Sequence, residues 1–428
     1  MGNRWLALVA GALAGIPVGS IYAWSVYVDP LRDARRDWGN AGAHATSIVI
    51  AALAISAAIS GRIVGSGVTV KLLCLSGAVL AGLGFLVAGL AVTAPNGLAA
   101  FYIGAFTNGF GLAQCYVAMI KVTMAWWASR NKGFASGYIM AITSSGSFVF
   151  AWLNHGLIAH FGTPAMALVY TGLICAAAQI AGGLLLSLPP PPPDTDTHGG
   201  MQQQKVQNTP KLLSTGQIIS SVQFWALFFI WFANLAPMIG VLSVLAQLLH
   251  DRSTFDQSAV ASANFLALVN GCGVVIRLLV GFLQARAGTK RLLGVALAGQ
   301  VLTFAILPAV AVNHDRVGAF VFLLCISKCC YGSGFTLINL FSGEIFGARN
   351  GTQVYSLLIT AFAVSAIFSP SVLQAVSLAN YCYMSAGLAA AGLVALLAVR
   401  PFEAGHEDRQ EAAAPLLLAD TIAGGEKA

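Results

Sequence analysis

Twelve long apolar runs restrict this chain more than any other feature. They lie at 5–28, 46–67, 71–93, 98–121, 134–159, 165–188, 222–248, 259–284, 292–312, 318–342, 353–376 and 382–399, with short connectors except at one place near the middle. A helix needs about 20 apolar residues to cross the hydrocarbon of a bilayer. The runs are continuous rather than alternating in polarity, which excludes a transmembrane barrel. Only 9% of the residues are charged and 57% are hydrophobic, against about 25% charged in soluble domains. The chain is therefore expected to be an all-α membrane protein of twelve transmembrane helices, with the lipid bilayer as its solvent. The first run is too long for a cleavable signal peptide and lacks a small-residue cleavage site.

The exceptional connector, 189–221, opens with five consecutive prolines and turns Gln-, Thr- and Gly-rich. Such a stretch stays extended and buries too little apolar area to fold. It separates an N-terminal six-helix bundle, 1–188, from a C-terminal one, 222–400, and leaves 401–428 as a tail. The two halves echo each other. NRWLALVAGALAGIP carries Trp5 and Pro17, and QFWALFFIWFANLAP carries Trp225 and Pro237, both 220 residues later. Gly61 and Gly281 share that offset, and Arg130 in WWASRNKG pairs with Arg349 in IFGARNG at 219. Parallel six-helix repeats are the pattern of major facilitator transporters, and that fold is expected here. The loop GFLQARAGTKRLL after helix 8 resembles the major facilitator signature, with Ala285 where the signature has Asp; GRIVGSGVTVK after helix 2 departs further. Gly61, Gly281, Gly288, Arg130 and Arg349 are thus candidates for gating or structural roles.

The net charge of +7 does not point to nucleic acid. With a cytoplasmic N-terminus, inner loops, tails and linker hold thirteen Lys and Arg against five in the outer loops, which is the positive-inside bias. Both ends and the linker are accordingly expected in the cytoplasm. All eight cysteines fall in or beside the apolar runs, and Cys329-Cys330 is not a metal or redox spacing. They read as small packing residues.

No Asp or Glu lies within the twelve runs, whereas Lys121, Arg277 and Lys328 do. Charge at membrane depth is costly and marks function; a one-sided positive set needs counter-charge, and a bound anion is the simplest source. Arg277 sits seven residues from the inner end of helix 8, about 10 Å of helix rise, a long way to snorkel. Its planar fork suits a carboxylate. Lys328, near the midplane of helix 10, either faces a cavity or sits neutral beside carbonyls and Tyr331. Lys121 and Arg62 end their helices and read as interfacial. Tyr22, Trp24 and Tyr331 pack as apolar bodies or touch substrate with polar tips; Gln114 and Tyr116 in helix 4 are further candidates. His155 and His160 lie at the outer end of helix 5 and His44, His250 and His314 in outer loops, so no carboxylate or histidine is placed for a midplane proton relay. No nucleophile motif, acid–base pair or metal cluster sits at depth: neither an enzyme nor a cofactor is expected.

The strings GNRWLALV, YAWSVYVDPL, NKGFASGYIMAITSSGS, QFWALFF, NGCGVVIRLLVGF and YGSGFTLINLFSGEIFG together resemble the oxalate/formate antiporter family, over nearly all of the membrane part. The eukaryotic monocarboxylate transporters are related to it. The resemblance implies alternating-access exchange of small carboxylates. It assigns Arg277 to the substrate carboxylate, and Tyr22, Tyr331 and Phe335 to an aromatic cage, with Trp24 and Asn270 in the same strings. The family's oxalate carriers add a helix 11 lysine where this chain has Phe362, and a nearby tryptophan matches Ile359.

The expected protein is a secondary transporter of small organic anions, mono- or short dicarboxylates, working by exchange as a monomer. Arg277 anchors a carboxylate and Lys328 adds a second charge. A proton-linked monocarboxylate transporter is the alternative, though that family carries an acidic residue early in helix 1 where this chain reads PVGSIYAW. A non-transporting carboxylate sensor on the same fold is the other. The plasma membrane is expected. The tail GHEDRQEAAAPLLLAD, similar to an acidic dileucine signal with one residue too many, keeps an endomembrane destination open.

Overall fold

The computed structural model describes residues 4–65, 68–127, 131–189, 213–250, 255, 257–311 and 316–399. Residues 190–212 of the 189–221 connector, Arg130 and the tail lie outside them; the end of that connector is not extended as expected but forms a short helix, Thr215–Ile219, capped by Ser214, whose Ile218 is buried. Twelve helices are long and apolar enough to cross a membrane, and the described residues hold no strand. We number them α1 (Arg4–Gly15), α2 (Ala41–Gly65), α3 (Val70–Thr93), α4 (Leu98–Trp127), α5 (Lys132–Phe161), α6 (Pro164–Leu185), α7 (Val222–His250), α8 (Ala259–Ala287), α9 (Thr289–Ala311), α10 (Val317–Phe346), α11 (Ala348–Ala375) and α12 (Leu378–Ala398). Each apolar run of the sequence became one of them, so the protein is an integral multi-pass membrane protein.

Local chemistry marks several boundaries. Asn131, Thr163, Ser258 and Ser377 accept a backbone N–H at the starts of α5, α6, α8 and α12, the usual relief of unpaired donors there. Gly288 and Gly347 end α8 and α10 at φ 81° and 82°, a conformation open chiefly to glycine. The first span departs from regularity: after Gly15 it tightens into a 3-10 helix from Ile16 to Tyr27, with Pro17 in its first turn. Proline removes a backbone donor, and Gly19 there lies against the backbone of Gly146 in α5.

Within the first half, α3 packs between α4 and α6, and α2 lies on α4; in the second, α9 packs on α10 and α12, and α7 on α11 and α12. Across the halves, α5 meets α8 and α2 meets α11. Large apolar side chains face outward around the molecule, among them Trp152, Val295, Phe322 and Leu397, as lipid contact requires. The loop after the first span is fastened by Arg35. Its guanidinium chelates Asp37 at 2.9 and 3.0 Å, donates to the carbonyls of Val92, Ala94 and Pro95, and lies 4.4 Å over Trp38.

α10 runs four residues past the apolar stretch that ends at 342, which brings Glu344 into its last turn. The carboxylate accepts from Gln284 and Thr289 at the ends of the neighbouring helices. At 30 residues α10 spans about 45 Å, more than the hydrocarbon thickness of about 30 Å, so this turn belongs to the polar margin.

Candidate functional site

Between the halves lies a cavity of about 40 Å³, walled by the 3-10 stretch of the first span and by α2, α4, α5, α7, α8, α10 and α11. That is room for about three waters. Most of the wall is apolar: Val18, Ile21, Leu53, Met140, Phe335, Ile359 and Phe362. Arg277 is the one charged residue of this lining. It is 5% exposed, and its guanidinium lies 4.5 Å from the centre of the Phe335 ring. Nη1 donates to the carbonyl of Met140 at 3.0 Å, which is a bond from the second half to the first. The Nε–H has no partner among the described residues. Leaving a charged donor unpaired in a dry site is expensive, and an acceptor entering the cavity would relieve it.

The aromatic part of the wall is continuous. Tyr22 meets Phe362 at 6.3 Å, Phe362 meets Phe335 at 5.7 Å, Phe335 meets Trp231 at 5.5 Å, and Trp231 meets Tyr355 at 5.4 Å. Tyr355 then closes onto the other half: its hydroxyl lies 2.9 Å from that of Tyr116. The indole N–H of Trp231 is buried without a partner among the described residues.

Of the residues expected from the sequence, Arg277, Tyr22, Phe335 and Tyr116 are brought together here. The others are placed elsewhere. Trp24 stacks on Phe85 at 5.2 Å and donates to Asn108, so the first half holds it away from the cavity. Gln114 turns to Ser76, accepting at 2.8 Å between α3 and α4. Tyr331 is buried, its ring 5.3 Å from that of Phe335, and is not part of the lining. Lys328 is also buried outside the lining, with Nζ 4.6 Å over the Tyr331 ring. Asn270 is half-buried on α8 and absent from the lining. Trp231, Tyr355 and Met140 are wall residues that sequence reasoning did not single out. Tyr355 carried a signal, a polar-tipped aromatic two turns into an apolar helix; Trp231 and Met140 lay in helices apolar on every side, where periodicity gives no face.

Near the Arg4 end the halves touch directly. A β-carbon on either Gly133 of α5 or Gly281 of α8 would collide with the other's backbone, and one on Gly61 of α2 would lie 2.6 Å from the Ser356 β-carbon of α11. Ser136 donates to the Thr336 carbonyl and accepts from Asn339. Toward the other end, a β-carbon added at Gly156 of α5 or Gly271 of α8 would meet no neighbouring helix within 4 Å among the described residues. Gly288 serves its turn, and Arg349 is exposed beyond the seam.

Twelve membrane-spanning helices packed around a small cavity lined from both halves of the chain are the architecture of a membrane transporter. The chain belongs to the Major Facilitator Superfamily, whose profile matches residues 30–370. Among curated proteins it is similar to the uncharacterized MFS-type transporter YhjX of Escherichia coli (strain K12), 20% identical over 366 residues, 85% of this chain and 86% of the relative. Among solved structures, a bacterial homologue of the iron transporter ferroportin in an outward-facing state shares 16% identity at TM-score 0.69, covering 93% of this chain and 99% of that one. The proton:xylose symporter XylE shares 12% at TM-score 0.71, covering 91% and 94%. At such identities these likenesses speak for the fold.

Proposed function

We propose that this transporter carries small organic anions, mono- or short dicarboxylates, by exchange, and that it is related to the oxalate/formate antiporters. The observation that carries the reading is the buried Arg277 guanidinium, with its unpaired Nε–H, on a small and otherwise uncharged wall. A carboxylate supplies both the missing charge and a planar pair of acceptors. The limited volume favours anions of few heavy atoms. Sugar-sized cargo fits poorly beside so few hydrogen-bonding groups, because specificity for hydroxyls needs a donor or acceptor for each.

Exchange is preferred to proton symport because the described lining holds neither a carboxylate nor a histidine to carry the proton. In this reading the Arg4 end, the linker and the tail face the cytoplasm, and one chain is the working unit in the plasma membrane. The test is thermal-shift binding of formate, acetate, lactate, pyruvate, oxalate and succinate to purified protein, followed by counterflow in proteoliposomes. Binding with counterflow supports the reading; binding without it identifies a sensor; binding of none of the six rejects carboxylates.

A further inference from the structure

Met140 of α5 engages its neighbours through both its carbonyl and its sulfur. Its carbonyl takes Arg277 Nη1 from the second half at 3.0 Å. Its sulfur lies 3.1 Å from the Tyr116 hydroxyl and 3.6 Å from the Tyr355 hydroxyl, which themselves share a hydrogen bond of 2.9 Å. The two phenols have two protons: one serves the bond between them and the other is left for the sulfur. Tyr116 and Met140 belong to the first half, and Tyr355 and Arg277 to the second. All four residues line the cavity. Substrate and the joint between the halves therefore share one surface.

We infer that Tyr116, Tyr355 and Met140 form a catch between the halves that orients Arg277, so that anion binding and closure of the Arg4 end support each other. The guanidinium divides its work. Nη1 is committed to Met140, which fixes the plane of the fork, while Nε–H remains free for the anion. When the halves part at the Arg4 end, Met140 leaves and the fork loses its reference. The grip on the anion weakens toward that side. By reciprocity, an anion that binds better to the closed arrangement must also favour closing it. Tyr116 and Tyr355 act through Arg277 and are positioning residues. The coupling to anions rests on the function proposed above; the catch itself does not.

The experiment is amide hydrogen exchange on purified full-length protein, comparing wild type with Tyr355→Phe, first without ligand and then with each of the six carboxylates. Loss of one hydrogen bond is expected to raise exchange about threefold to tenfold in residues 133–140 and 350–355, and to leave α3 unchanged. Pyruvate, or whichever of the six binds, should slow exchange at these segments in wild type and do so less in the variant. Unchanged ligand-free exchange overturns the catch. Equal protection of wild type and variant overturns the coupling. If none of the six protects wild type, the carboxylate reading and the coupling fall together, and the ligand-free comparison still decides the catch. Tyr116→Phe removes the same bond from the other side and replaces Tyr355→Phe should that variant fold poorly.

Discussion

Gly61 and Gly281, 220 residues apart, press their backbones into the opposite half at equivalent places. Gly61 faces Gln353 and Ser356 of α11, and Gly281 faces Gly133 and Gly137 of α5. Gln353 itself follows Gly133 by 220 residues. The duplication thus relates both members of each contact. The two seams differ in hardness: backbone meets backbone at Gly281, whereas Gly61 meets a serine side chain.

That difference orders three substitutions. Gly281→Ala forces α5 and α8 apart and should destabilise the state closed at the Arg4 end by about 1–3 kcal/mol, as overpacking does. Gly61→Ala should cost less. Gly387→Ala, whose added β-carbon meets nothing within 4 Å among the described residues, should be neutral or slightly stabilising, since alanine favours a helix over glycine. Melting temperatures of the purified variants check the order. Equal values for all three would mean that the seam yields at no cost.

Arg277 is expected to act as a fork and not merely as a charge. Arg277→Lys keeps the charge, loses the paired donors and cannot hold Met140 and an anion together. Carboxylate uptake should fall strongly while folded protein persists; truncating one partner of such a pair costs about 2–5 kcal/mol. Near-normal uptake by Arg277→Gln would falsify the anchoring role.

Lys328 now carries a different expectation from the one its sequence position raised. It lies outside the cavity lining, against the ring of Tyr331. Lys328→Met should leave the competition between mono- and dicarboxylates unchanged within about twofold. It should also melt no lower than wild type, since a lysine at membrane depth costs about 2.5–3.5 kcal/mol on insertion scales. A selectivity that swings toward monoanions on this substitution would put the ammonium back in the site.

The contrast between Arg277 and Lys328 shows what the sequence was able to say. Membrane depth and charge follow from position along an apolar run, so both cations were visible, as were the twelve spans. Direction around the helix axis was not. In a soluble helix a polar face announces the core, but α7, α8 and α10 are apolar on nearly every side. Lys328 and Arg277 lie on different helices, and only their packing decides which one reaches the cavity. The direction of Trp24 was hidden for the same reason: its partner Asn108 is 84 residues away. Trp231 entered the site with no mark in the sequence to separate it from its aromatic neighbours.

The triplet Asn350-Gly351-Thr352 should remain without glycan in a eukaryotic host. The proposed topology puts it in the cytoplasm, and the structure adds a second reason. Asn350 is buried, accepting from Leu213 N–H and donating to the Phe346 carbonyl, each at 3.0 Å. A glycan detected there by mass spectrometry would invert the proposed orientation.

Arg35 should matter more than Asp37, although they form one ion pair. The Arg35 hydrogen bond holds the Asp37 carboxyl below the usual carboxylate range. A depressed pKa contributes stability above the unfolded value that is lost as pH falls through the folded one, so the pair should survive mild acid and fail only below the ordinary carboxylate range. Arg35→Ala also frees three carbonyls and uncovers Trp38, and should lower the melting temperature more than Asp37→Asn. The reverse order would show that the ion pair alone holds the loop.

The tightened stretch of the first span changes how far a given length of chain reaches. Its twelve residues cover about 24 Å at 2.0 Å each, where an α-helix would cover about 18 Å. The first span therefore arrives at the far face with about four residues fewer than a uniform helix would use. Tyr22 lies inside that stretch, so its height in the cavity depends on the winding around Pro17 as well as on the residue count. An insertion ahead of Gly15 would slide the α-helical part along its groove; a change of winding beyond Gly15 would raise or lower the tyrosine while Arg4 stayed where it is.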